Sequence, residues 1–155
     1  MAIEIERKFL VISEQWKADV FKKIPMRQGY FESAPGATVR VRIEGERAVL
    51  TIKGATVGLS RAEYEYDIPM SDAREMLDLF CEGRQVQKVR HLLKAGAHTW
   101  EIDVFEGANA GLVMAEVELG RADEPVELPE WVGQEVSHDR RYRNGYLARH
   151  PWGER

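Results

Sequence analysis

Four pairs of carboxylates recur along the chain at a spacing of two residues: Glu4 with Glu6, Glu63 with Glu65, Glu101 with Asp103, and Glu116 with Glu118. Two basic pairs share that spacing, Arg40 with Arg42 and Lys88 with Arg90, and Lys8 and Lys53 add single cations to the same pattern. In an extended strand such residues point to one face about 6–7 Å apart. Like charges held that close cost free energy unless a group of opposite sign lies between or before them. Sorted charges therefore suggest ligands. Clustered carboxylates offer the oxygen donors that Mg²⁺ or Mn²⁺ takes, while ammonium groups and the planar guanidinium fork bind phosphate oxygens. A metal-bound polyanion such as a polyphosphate would satisfy both sets.

These pairs need strands to carry them, and the hydrophobic pattern supplies strands. Residues 2–11 alternate, with Ile3, Ile5 and Phe9 on the apolar parity and Glu4, Glu6 and Lys8 on the other; Arg7 interrupts the apolar side. Ser13 is placed to cap a short helix through about residue 21, and 27–33 is a second strand candidate. Strands 37–44 and 47–53 flank a Gly45-Glu46 turn as a hairpin. After a flexible stretch, 54–60, alternation resumes over 61–68 and stops at Pro69. Ser71 is placed to cap a helix over 72–80 whose Met76, Leu77 and Phe80 share a buried face. Strand patterns follow at 85–95, 99–105 and 112–119, with a further helix expected over 139–147.

About eight strands joined mostly by short connections predict a mainly β, α+β fold: a closed eight-stranded antiparallel barrel with a few flanking helices, since closure removes exposed edges. In strand after strand the second parity is apolar, as in Val39, Val41 and Ile43 beside Arg40 and Arg42. If the charged parity faces inward, the barrel is a polar tunnel and its apolar faces pack outward beneath helices or a partner subunit. Arg7 should then lie outside the lumen, paired or at an edge.

The rest of the composition narrows the options. With 155 residues, 44% hydrophobic and 31% charged, the chain fits one globular domain over 1–155. A net charge of −4 gives no global reason to expect nucleic acid as a partner. No run of about 18 apolar residues suggests a membrane span. The single Cys81, expected as a buried thiol, and an N-terminus without an apolar run fit a reducing cytoplasm. The four histidines show no zinc spacing, and 54–60 lacks the ending of a P-loop.

Glu4-Ile-Glu6-Arg-Lys8 resembles the ExExK signature of the CYTH domains, also called triphosphate tunnel metalloenzymes. Thr38-Val-Arg40-Val-Arg42, Thr51-Ile-Lys53-Gly54, Lys88-Val-Arg90 and Glu116-Val-Glu118 follow in the order that family uses. The resemblance implies a triphosphate bound with divalent metal inside an eight-stranded tunnel. It implies metal ligands at Glu4, Glu6, Glu116 and Glu118, with Asp103 and Glu63 or Glu65 as further acidic participants. Lys8, Arg40, Arg42, Lys53, Lys88 and Arg90 would hold phosphates, and Lys88 or an acidic residue would steer the attacking water.

The implied reaction is metal-assisted hydrolysis of a triphosphate, inorganic tripolyphosphate first, to pyrophosphate and phosphate. An adenylate cyclase of the same class, a thiamine triphosphatase and a non-catalytic polyphosphate binder are the alternatives. Members of the family are often dimers, which makes a homodimer an expectation here. Some place a lysine from a C-terminal helix in the site, where this chain has only arginines.

Overall fold

The structure is a computed structural model that describes residues 2–32 and 35–154. Eight strands form the barrel: β1 (Ala2–Val11), β2 (Val20–Tyr30), β3 (Ala37–Glu44), β4 (Arg47–Gly54), β5 (Ser60–Asp67), β6 (Gln85–Ala95), β7 (His98–Glu106) and β8 (Val113–Glu118). Around the barrel the order is β1, β5, β4, β3, β2, β6, β7, β8, every neighbour antiparallel. β1 closes the sheet, its first half pairing with β5 (Ala2↔Glu63 to Ile5↔Ser60) and its second with β8 (Glu6↔Glu118 to Leu10↔Met114). A short ninth strand, β9 (Val132–Glu135), joins the end of β1 on the edge away from β8.

The apolar parities of the strands point outward, and three clusters bury them or finish the lumen. Phe9, Leu93, Trp100, Ile102, Ala115 and Val117 form the outer face of β1, β6, β7 and β8. Trp16, from a 3-10 turn at Gln15–Asp19, and Trp131, just before β9, cover that face. Trp131 meets the Trp100 ring edge-on with centroids 5.3 Å apart. On the other side helix α1 (Met70–Phe80) lays Ala73 and Leu77, with Cys81 beyond its end, over Val41 and Ala48.

The third cluster lies on the inward parity at one end of the barrel. There Tyr30 follows Gln28, Val86 precedes Lys88, Phe105 follows Asp103 and Met114 precedes Glu116, so each strand turns from polar to apolar at the same level. Leu147 and Ala148 of helix α2 (Asn144–Arg149) close this floor from below.

Several expected boundaries move. The helix expected over 13–21 is only the 3-10 turn, without a side-chain cap, and β2 starts at Val20, well before the expected 27. Pro25 reads as a strand breaker. It is tolerated because β2 pairs with β3 only from Met26 onward. Phe31 and Glu32 lie past the end of β2, and Ser33, the last residue of the expected strand, falls outside the described residues.

Helix α1 begins at Met70 with Pro69 as its cap, so Ser71 lies inside it and caps nothing. Leu77 is buried as expected, but Phe80 is 51% exposed against Phe31 at the rim. The expected helix over 139–147 breaks at Arg143, whose extended ψ of 141° separates a 3-10 turn at Arg140–Tyr142 from α2. Cys81 is buried, as its position after Phe80 implies.

Gly29 sets the depth at which α1 docks. A Cβ at this position would stand 2.6 Å from the Cys81 Cβ and 2.7 Å from a Leu77 methyl, closer than side-chain atoms can approach. Gly29→Ala should destabilise the fold by about 1–3 kcal/mol through overpacking. Thermal melting checks this, and an unchanged Tm would show that α1 is not pressed against β2.

Candidate active site

Inward-facing side chains line a cavity of about 660 Å³ within the lumen, and Arg90, Glu101 and Glu118 also border a second cavity of about 1020 Å³ beside Met26 and Glu44. One wall is basic, with Arg40 and Arg42 on β3 and Lys88 and Arg90 on β6, on either side of β2. Facing it are Glu4, Glu6 and Lys8 on β1, Glu63 and Glu65 on β5, and Glu116 and Glu118 on β8. Lys53 and Glu101 also line the cavity. Both Glu63 and Glu65 face inward, as their shared parity requires. Arg7 lies outside the lumen, bonded through two nitrogens to Glu135 on β9 at 2.9 and 2.7 Å.

Asp103 takes a different position from the other predicted acids. It is 1% exposed and contributes nothing to the cavity surface. Arg90 donates to both its oxygens at 2.8 and 2.9 Å, and Lys88 Nζ donates to Oδ2 at 2.7 Å. Burial opposes ionisation, but these two cations hold its carboxyl well below the usual carboxylate range. With both oxygens bonded and no surface on the cavity, Asp103 supports the basic wall from behind.

The acidic side is unevenly neutralised. Lys53 bonds both oxygens of Glu4 at 3.0 and 2.9 Å and lies 3.4 Å from Glu63. Glu116 stands 3.4 Å from Lys8 and 3.6 Å from Arg90, and Arg90 also meets Glu101 at 2.5 Å. Burial would raise Glu116, but Lys8 and Arg90 bring it down to about 2. Glu4 is likewise kept low by Lys53 against its burial.

Glu6 has less relief: its carboxylate makes no hydrogen bond or ion pair with any described residue, and Lys8 and Lys53 offset its surroundings only in part. Burial, then the neighbouring Glu116, push it up to about 8. Glu63 rises to about 7, from burial and then from its contact with Glu4. In the sheet Glu6 stands directly opposite Glu118, and Glu101 opposite Glu116, which are repulsive cross-strand pairs.

The basic wall also carries one unsatisfied group among the described residues. Arg40 is 7% exposed, its Nη2 bonds Thr51 at 3.3 Å, and its buried Nε has no partner among the described residues. Arg42, pushed down to about 10 by burial and then by Arg40 and Arg90, donates from Nε to Gln28 at 2.8 Å. Lys88 is wholly buried and brought down to about 7, by burial first and then by Arg90 and Arg42, against the pull of Asp103.

Opposed walls of unbalanced charge inside a closed eight-stranded sheet are the arrangement that the ordered motifs imply. Residues 2–145 match the CYTH domain. The chain belongs to the CYTH family. Among its CYTH relatives, an inorganic triphosphatase of Acetivibrio thermocellus is 41% identical over 152 residues, spanning 98% of this chain and 97% of its own. Another, from Nitrosomonas europaea, is 38% identical over 149 residues, with 94% and 96% covered. The crystal structure of an inorganic triphosphatase superposes with a TM-score of 0.70 at 36% identity, covering 96% of each chain.

Groups at and behind the cavity wall lay outside the expected CYTH motif set, among them Arg61, Gln28 and Asn144. Arg61 shares the parity of Glu63 and Glu65 and could have been read with them; it donates to the Gly54 carbonyl at 3.0 Å. Gln28 lies within the expected strand but carries no charge, and it is buried behind Arg42. Asn144 sits where a continuous helix was expected, and its side chain reaches Lys88.

The raised Glu6 has a consequence for stability. Between its ordinary 4.5 and about 8 it keeps a proton in the folded protein that it loses in the unfolded chain. The folded state thus binds more protons across this window, and Glu6 costs the fold more stability as pH rises through it. In metal-free buffer at pH 8, Glu6→Gln should melt roughly 5 °C above the parent, the gap closing towards pH 4.5. Equal melting at pH 8 would mean that Glu6 ionises freely where it stands.

Proposed function

We propose that this CYTH chain hydrolyses inorganic tripolyphosphate to pyrophosphate and phosphate with Mg²⁺ or Mn²⁺. The observation that carries the reading is the two-walled lumen, with a buried Arg40 Nε lacking an acceptor on one side and an unpaired Glu6 among carboxylates on the other. An anion alone would satisfy only the first wall, and a cation alone only the second. The relatives named inorganic triphosphatases over nearly the full chain support the same substrate.

The acidic side offers the donor type that a hard divalent ion takes, carboxylate oxygens, and its most strained member gains most from a cation, although among the described residues no three acidic side chains already converge on one point. Glu4, Glu6, Glu116 and Glu118 would hold it, with Glu63 and Glu65 within the same cavity. Glu4 must exchange Lys53 for the ion, and Glu116 must loosen from Lys8; the freed ammonium groups then face phosphate oxygens. The ion, when bound, withdraws charge from the phosphoryl oxygens and acidifies water.

The protein's own groups supply position and charge. Arg40 and Arg42 offer guanidinium forks to neighbouring phosphates, and Lys8, Lys53, Lys88 and Arg90 complete the cage. Their charge stabilises the pyrophosphate leaving group as the bond to the terminal phosphorus breaks. A phosphate oxygen next to Lys88 favours its protonated form, offsetting the burial that lowers it. The apolar floor of Tyr30, Phe105 and Met114 keeps bulk water from one end of the lumen.

Incubation with tripolyphosphate, ATP and thiamine triphosphate, each with Mg²⁺ or Mn²⁺, should release phosphate fastest from tripolyphosphate. The Glu4→Gln/Glu6→Gln protein should lose at least about 1,000-fold in kcat while its circular dichroism stays that of a folded barrel. Cyclic AMP and pyrophosphate from ATP, with tripolyphosphate untouched, would overturn the reading in favour of a cyclase.

A further inference from the structure

The deepest cation of the basic wall is held by a residue from outside the barrel. Lys88 Nζ donates to Asp103 Oδ2 at 2.7 Å and to Asn144 Oδ1 at 2.9 Å. Asn144 is the first residue of α2, the short helix whose Leu147 and Ala148 close the lumen floor. An ammonium group has three donors in tetrahedral array, so two fixed acceptors also fix the direction of the third.

The orientation of the Asn144 amide follows from a chain of donors and acceptors. Arg42 can only donate, so Gln28, which it meets at 2.8 Å, must present its carbonyl oxygen to it. The amide nitrogen of Gln28 is thereby turned the other way, where it donates to the Tyr30 hydroxyl at 2.9 Å and to Asn144 Oδ1 at 3.4 Å. Asn144 must then show its oxygen to Gln28, and the same oxygen meets Lys88. Gln28 is fully buried, so solvent cannot substitute for any member of this chain. Arg42 on β3 and Lys88 on β6 are thus coupled through one buried amide and one amide from the C-terminal helix.

We propose that Asn144 is a positioning residue for the reaction: with Asp103 it fixes Lys88 so that the third ammonium hydrogen points at a phosphate oxygen in the cavity. The inference rests on the triphosphatase reading. A neutral acceptor suits this position. Asp103 already supplies the negative charge that Lys88 and Arg90 need. A second carboxylate here would face the incoming anion and compete with it for Lys88. An apolar side chain would free the ammonium to turn wholly towards Asp103.

The test is steady-state hydrolysis of tripolyphosphate with Mg²⁺ by the full chain. Asn144→Ala should lower kcat about tenfold with KM changed less than about threefold, because the ammonium is still present but no longer aimed. Asn144→Asp keeps the shape and the acceptor and adds only charge, so it should raise KM about tenfold. An anchoring role for α2 alone would leave this isosteric variant unaffected.

The third arm is a double-mutant cycle, read at raised enzyme concentration. In a Lys88→Ala background, Asn144→Ala should slow turnover by less than about twofold. Losses that multiply across the two sites, or parental kinetics in both Asn144 variants, would overturn the positioning role while the parent still turned over tripolyphosphate. A parent protein without turnover would instead sink the functional reading, and this inference with it.

Discussion

Asp103, buried inside the barrel wall, holds Lys88 and Arg90 side by side at 2.7–2.9 Å. Two cations two residues apart on one strand face would repel each other strongly in a lumen shielded from solvent. One shared carboxylate removes that repulsion and still leaves the trio with a net positive charge. Taking three ionised groups from water is expensive, and removing one partner from such a cluster costs about 3–5 kcal/mol because the rest remain buried and unpaired. The cluster is therefore weak as a source of net stability but strong as a constraint. It favours the observed register of β6 and β7, with Arg90 opposite Asp103, because a one-residue slip would turn these groups to the apolar face.

A lumen filled with such groups cannot also be the hydrophobic core. The apolar parity must face outward, and the barrel must be wrapped to keep it dry. The cover comes from segments with little regular structure of their own: the turn that carries Trp16, the stretch that delivers Trp131, and a single helix lowered onto Gly29 and Val41. The wrapping is incomplete. Ile3, Ile52, Tyr64 and Tyr66, on the outer face of β1, β4 and β5, stay 37–60% exposed. In a chain where 31% of residues are charged, this uncharged stretch of sheet is the exception, and it lies behind the strands that carry Glu4 and Glu63.

What could be read in advance follows from this division of labour. Charge sorted in pairs two residues apart was visible, because the spacing of a strand puts both members on one face and the sign needs no structure to read. The strands carrying Arg40, Lys88 and Glu116 were located by the same alternation. The first part of β2, before residue 27, was hidden by Pro25, whose missing N–H matters only where a neighbour needs it, and β9 by its length of four residues. The depth of Asp103 was not legible for a related reason. Its parity is right for the lumen, but two adjacent cations consume its oxygens, and sequence spacing reports the face of a side chain without its depth. Gln28 and Asn144 carry no charge and gave no signal at all.

Arg7 shows how an exception in the pattern can carry structural information. It sits on the outward parity of β1 between Ile5 and Phe9, where another apolar residue would have continued the core. Its guanidinium lies over the Phe9 ring at 5.1 Å and forks onto Glu135, whose Oε2 also accepts from Ser137 at 2.6 Å. Ser137 Oγ in turn accepts from the Lys8 amide at 2.9 Å, and the Val136 amide donates to the Lys8 carbonyl at 2.8 Å. This exposed ion pair is worth little by itself. Its value is geometric, because it seats β9 and the chain after it beside the residue that faces the lumen at Lys8. That chain leads within a few residues to Asn144. The one charge on the wrong face of the first strand thus helps deliver, from the far end of the sequence, the side chain that meets Lys88.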